Sequence, residues 1–245
     1  MRQLVGVCAM EHQRRWARLA SLGGLWNIPA MAAALAAALL LTATAPAAWS
    51  ADCAAALETV FGHEGGYQNS RKDAGNWSSK KVGVGKMCGG TKFGIACGHN
   101  PGVDIKSLTR EQAAEIYRNR ECKDMRMAEL EGQTIPTLLL DLAVNMGSDM
   151  AVKLMGTTIN YINAPEEHIT FDETMTDGMV AWFNANTKTR DQQALFYTVL
   201  TLTAIDRYAH IVESNPKQAV WLLGWVRRVI PNEIEAIRPS RTPRE

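Results

Sequence analysis

The chain has 245 residues, with 26 basic and 25 acidic side chains and a formal net charge of +1. No run of basic residues with interleaved aromatics rises out of that balance, which argues against nucleic acid as a partner. The first fifty residues read as a leader rather than as fold.

That leader carries Arg14, Arg15 and Arg18, then an apolar Ala/Leu-rich stretch over 28–41, then Ala48-Trp49-Ser50 with small residues at the positions a signal peptidase reads. Cleavage after Ser50 leaves 195 residues starting at Ala51. Losing four basic residues and one acidic residue leaves 22 against 24, a net charge of −2. The apolar stretch is short for a membrane span, and Pro29 and Pro46 flank it, so an uncleaved anchor is the weaker reading. The Arg14-Arg15 pair hints at twin-arginine export, but the residues after the pair fit that signal poorly.

Leu57, Val60, Phe61 and Glu64 have the spacing of one face of a helix, so Glu64 continues the stripe that turns inward. Gly65 and Gly66 end the helix at once. A carboxyl group held half-buried there loses hydration, which favours the protonated form that a general acid needs. A solvated Glu beside a tight turn is the bland alternative. Residues 68–98 hold seven glycines and few long apolar runs, a composition suited to turns and a short β-hairpin. Thr109-Arg110-Glu111-Gln112 is a capping-box start for a helix running to about Asn119. Further helices are predicted over 137–146, between Pro136 and Gly147, and from a Ser148 cap through Met155. A loop spans 163–172, and helices come next over 177–184, 190–212 and 216–229. Pro239 and Pro243 mark a polar tail. The fold class is mainly α, with one small β element near the front.

Four cysteines remain after the leader, which removes Cys8: Cys53, Cys88, Cys97 and Cys122. Two disulfides are the economical reading in an exported chain, and among three pairings Cys88–Cys97 with Cys53–Cys122 is favoured. A metal site on Cys88, Cys97 and His99 matches no common zinc spacing, so no metal or other cofactor is expected.

Asp73 and Thr91 are the next chemical candidates. If the segment folds back as a hairpin, both can face Glu64 across a cleft. A proton donor, a second carboxylate or positioned water, and a hydroxyl are the groups that glycoside hydrolysis requires. Tyr67 and Trp77 could offer flat faces to sugar rings, and Asn145 could line the cleft. A solvated Asp, a strand Thr and a buried, hydrogen-bonded Asn are the structural alternatives. Trp221 and Trp225 are read as core packing, and Arg227 and Arg228 as a solvated helix end.

His63-Glu64-Gly65-Gly66-Tyr67, Asp73-Ala74-Gly75 and Gly90-Thr91-Lys92-Phe93-Gly94-Ile95 together resemble the signature of glycoside hydrolase family 108, bacterial and phage-type N-acetylmuramidases of peptidoglycan. The rear half resembles the peptidoglycan-binding region joined to them. Its carrying residues are the run from Asp141 to Gly147, the run from Ala151 to Met155, Asn215-Pro216-Lys217, and Leu223-Gly224-Trp225-Val226-Arg227-Arg228-Val229. The resemblance implies a lysozyme-like catalytic region over 51–135, a helical peptidoglycan-binding region over 136–232 and a flexible tail over 233–245. It implies that Glu64 is the catalytic acid. By analogy with phage lysozymes, Asp73 and Thr91 position the attacking water. One departure stands out: residues 76–89 interrupt what is a short Asp-x-Gly-Gly-x-Thr run in the family, and this insertion contains Cys88.

The resulting expectation is an exported, monomeric muramidase acting on peptidoglycan glycan strands, periplasmic or secreted. Three alternatives stay open. One is a non-catalytic peptidoglycan-binding or secretion-assisting protein of the same fold, and another is a lytic transglycosylase. The third is a membrane-tethered accessory component of a secretion system.

Overall fold

The computed structural model describes residues 50–230. Residues 1–49 of the predicted leader and the whole predicted tail over 233–245 lie outside the described residues. Among the described residues no helix is long and apolar enough to cross a membrane.

The first helix, α1 (Cys53–His63), starts at an Asp52 cap whose carboxylate accepts the Ala54 N–H at 2.8 Å. It buries Ala56, Leu57, Val60 and Phe61 and stops at Glu64, where the chain turns extended. The stripe read from the sequence is therefore the buried face, and Glu64 sits at its end. Next come the glycine-rich segment and a two-stranded antiparallel sheet, β1 (Thr91–Lys92) and β2 (Ile95–Ala96), with Thr91 opposite Ala96 and Lys92 opposite Ile95. Helix α2 (Arg110–Asn119) has the reciprocal capping box of Thr109 and Gln112. A short α3 (Glu121–Asp124) comes after it.

The centre of the molecule is α4 (Thr134–Met146), apolar on nearly every side and buried at Leu138, Leu139, Leu140, Leu142 and Ala143. A helix hydrophobic all round must be covered all round. Helix α1 packs on one side of it, and α5 (Ser148–Ile162) on another. Two helices complete the rear half: α6 (Asp177–Asn186) and the long α7 (Arg190–Ser214), which packs on α5. The last helix, α8 (Ala219–Val229), returns along α7 after a 3-10 turn at Pro216–Gln218. One hydrophobic core runs from Leu57 in α1 to Val229 in α8.

Two local expectations change. Ser148 does not cap α5; Gly147 occupies that position with φ 92°, and the Ser148 hydroxyl donates to Asp124 at 2.7 Å instead. Trp225 packs on the core and stacks on Tyr208 with ring centroids 5.3 Å apart, but Trp221 is 58% exposed. The i, i+4 spacing puts the two rings near one face, yet the neighbouring helices reach only the inner end of it.

Both favoured disulfides form, Cys53–Cys122 across 69 residues and Cys88–Cys97 across 9. Loop-closure entropy makes the first worth about 4 kcal/mol and the second roughly 2.5 kcal/mol. The long link ties the start of α1 to α3, and the short one pins the insertion to β2. Within the insertion, Trp77 bridges Met87, and the Ser78 N–H donates to Lys86 O at 2.9 Å, so the extra residues close on themselves.

Candidate active site

Glu64 ends α1 with its side chain 16% exposed. Its Oε1 accepts a hydrogen bond from Arg228 Nη2 at 2.7 Å, a contact between residues 164 apart in sequence. Arg228 is no solvated helix end, contrary to its reading from the sequence. The same guanidinium forks onto Asp141, with Nε to Oδ2 at 2.7 Å and Nη2 to Oδ1 at 2.9 Å. Asp141 lies on the buried face of α4, and His63 Nδ1 meets its Oδ1 at 3.1 Å. With a carboxylate as acceptor, His63 carries its proton on Nδ1 in this contact. Burial alone would lower the Arg228 pKa. The hydrogen bond and charge of Asp141, then the charge of Glu64, outweigh it and push the pKa up.

The β1–β2 turn closes on Glu64 from the other side. Gly94 sits there at φ 76°, and a Cβ on it would lie 2.9 Å from the Glu64 carboxyl and 2.4 Å from the Tyr117 hydroxyl. Only glycine allows this approach. Tyr117 O–H donates to Phe93 O at 2.9 Å, and the Phe93 N–H donates to Gly65 O at 3.3 Å, locking the turn against the helix end. Burial, then the charge of Glu64, pushes the Tyr117 phenol pKa up, so it remains a neutral donor. Gly94→Ala is expected to destabilise the fold by about 1–3 kcal/mol through backbone strain and contact. Thermal unfolding should show it as a lowered Tm, with a larger loss in any activity that depends on Glu64 placement.

Asp73 and Thr91 are brought together in one hydrogen-bonded unit. Asp73 caps a 3-10 turn at Ala74–Asn76, accepting the Gly75 N–H at 2.8 Å, and Gln68 Nε2 donates to its other oxygen. Thr91 O–H donates to Asn76 Oδ1 at 2.7 Å, and Asn76 Nδ2 donates to Gln68 Oε1 at 2.9 Å. A Cβ on Gly75 would sit 3.3 Å from Asp73 Oδ1 and 3.9 Å from Thr91 Oγ1, so the two groups face one spot. Paired N–H···O bonds of 2.8 Å between Gln68 and Thr91 join this unit to β1. The hairpin carries it to the Glu64 turn, although no hydrogen bond joins Glu64 to Asp73 or Thr91. Burial, then the charges of Lys80 and Arg120, holds His99 below the ordinary imidazole range, so at neutral pH it adds no cation beside Asp73.

The remaining candidates divide. Tyr67 is 40% exposed and leans on Gly90, leaving ring surface open. Trp77 is buried, with its indole N–H donating to Arg71 O at 3.1 Å, so it braces the insertion and offers no open face. Asn145 is half-buried and donates to the Tyr208 hydroxyl at 2.6 Å. Cys88 and Cys97 are spent in their disulfide, which leaves no thiolate beside His99 for a metal. Sequence reasoning assigned no role to Asp141, Tyr117 or Arg228. The signal for Asp141 was a lone acid in the run Leu138-Leu139-Leu140-Asp141-Leu142, since a buried charge requires a partner.

A helical body, a two-stranded hairpin and a half-buried Glu at the end of the first helix define a lysozyme-like fold. Residues 57–147 match the family described as Glycosyl hydrolase 108. The match ends at the turn after α4, so it includes Asp141 and excludes Arg228. No curated protein matches the chain. Among solved structures the chain is similar to SagA of Brucella abortus, at 20% identity over 77% of this chain and 97% of that one, with a TM-score of 0.53. At that identity the likeness is one of fold.

Proposed function

We propose that this protein is an exported muramidase that hydrolyses the glycan strands of peptidoglycan, with Glu64 as the proton donor. The observation that carries it is a half-buried carboxyl at the end of α1, packed against the turn of the hairpin whose first strand begins at Thr91 and is tied through Gln68 to Asp73. The family match over 57–147 supports the substrate class.

The charge count around Glu64 suits a proton donor. Arg228 contributes one positive charge, while Asp141 and Glu64 together contribute up to two negative ones. Asp141 takes the bidentate face of the guanidinium and Glu64 only a shared nitrogen. Of the two carboxyls Glu64 is therefore the less tightly held and the more exposed, as the group that must meet substrate has to be. The proton then passes to the departing sugar oxygen, and a water held near Asp73 and Thr91 attacks the ring carbon. Tyr67 supplies an aromatic face beside that path.

Residues 136–232 serve as the region that engages the polymer, and α8 reaches back from it to the acid. Two disulfides fit an oxidising compartment, which supports export through the leader to the periplasm or beyond. The test is mass spectrometry of products from purified sacculi digested with the full chain. Muropeptides ending in reducing N-acetylmuramic acid are the expected result. Anhydro ends mean a lytic transglycosylase instead. Sedimentation with sacculi without product release means a binding protein, and either outcome overturns the proposal.

A further inference from the structure

One turn along from the Glu64 cluster lies a cavity of about 260 Å³ between α4, α7 and α8 and the start of α5. Asn145 comes four residues after Asp141 on α4, and Trp225 precedes Arg228 by three on α8, so both helices lead from the ion pair into its wall. Met146, Met150 and Ile211 give it an apolar lining. The stacked Tyr208 and Trp225 rings, 22° from parallel, form one side.

Arg207 also lines this cavity; its Nε is enclosed without a hydrogen-bond partner, and no ion pair holds its guanidinium among the described residues. Native proteins rarely leave such a donor unsatisfied. A second donor adjoins it. The Tyr208 hydroxyl accepts from Asn145, and no acceptor takes its own proton among the described residues. Burial raises the Tyr208 pKa to about 12, so that proton stays in place. An unpaired guanidinium and a phenol proton beside an apolar lining call for a carboxylate borne on a small aliphatic body.

We propose that this cavity binds the peptide arm of the peptidoglycan strand, with Arg207 taking a carboxylate and the Met146–Met150–Ile211 lining taking a short aliphatic side chain. The assignment rests on the muramidase reading for its choice of source, because that polymer carries alanyl and acidic residues on its muramic sugar. The volume fits one or two residues of such an arm, not a long peptide.

The test is titration calorimetry of the full chain with N-acetylmuramyl-L-alanyl-D-glutamate, an N-acetylglucosamine tetramer and acetate. Arg207→Gln is expected to weaken the muramyl-peptide probe by about tenfold or more, the effect of losing a charge-assisted hydrogen bond, and to leave the tetramer unchanged. Met150→Trp, which fills the cavity and keeps the guanidinium, is expected to lose the same probe. Unfolding transitions matching the wild type show that both variants fold. Equal affinity of wild type and Arg207→Gln for the muramyl peptide overturns the proposal. So does acetate binding as tightly as the muramyl peptide, which reduces the cavity to a simple anion site. None of these probes needs turnover. A chain that binds the muramyl peptide through Arg207 but releases no sacculus products defeats only the muramidase reading.

Discussion

Glu64→Gln is expected to lower turnover on purified sacculi by about 10²–10⁴-fold, the usual contribution of a positioned general acid. Glutamine keeps the shape of the side chain and a carbonyl oxygen for Arg228 Nη2, now 2.7 Å from Glu64 Oε1. Arg228 also remains fully engaged by Asp141, so no buried cation is stranded. The variant should therefore unfold close to the wild-type temperature and still sediment with sacculi. Loss of activity with retained binding assigns the proton to Glu64. A variant that folds and digests sacculi at the wild-type rate removes the mechanism.

Arg228→Met is expected to cost about 3–5 kcal/mol of stability, because it leaves the carboxylate of Asp141 buried without its cation. Asp141 has a side chain only 3% exposed, and among the described residues its one partner besides Arg228 is His63. Urea unfolding of the two proteins measures the difference. Arg228→Lys restores the charge but not the fork that reaches both carboxylates, and should recover only part of it.

Arg228 keeps its charge throughout the range in which the protein can be assayed, held there chiefly by Asp141. A base with a raised native pKa adds stability that is complete below its unfolded value and is lost only above it, far beyond neutral.

The helices were legible because their signals are local. The Thr109 capping box, the buried stripe ending at Glu64 and the apolar run of α4 each repeat within a few residues, where 3.6-residue periodicity and terminal hydrogen bonding act. Helix ends were less legible. α4 begins at Thr134, three residues before its expected start, and Gly147 displaces Ser148 as the cap of α5. The insertion over 76–89 could be read as loop, but not that Trp77 would fill its interior, because burial depends on what folds over a ring.

Sequence alone determined the mainly helical class, the place of Glu64 at the end of the α1 stripe, the hairpin beyond it and the cysteines available for pairing. Each of these depends on neighbours along the chain or on a count. The tertiary structure alone decided that Arg228 reaches Glu64 and Asp141, and that Arg207 lines a cavity with no partner for its charge among the described residues. An ion pair between residues 164 apart leaves no period or spacing in the sequence. It exists because α1 and α8 both meet the same central helix, and the chain learns of it only when the core closes.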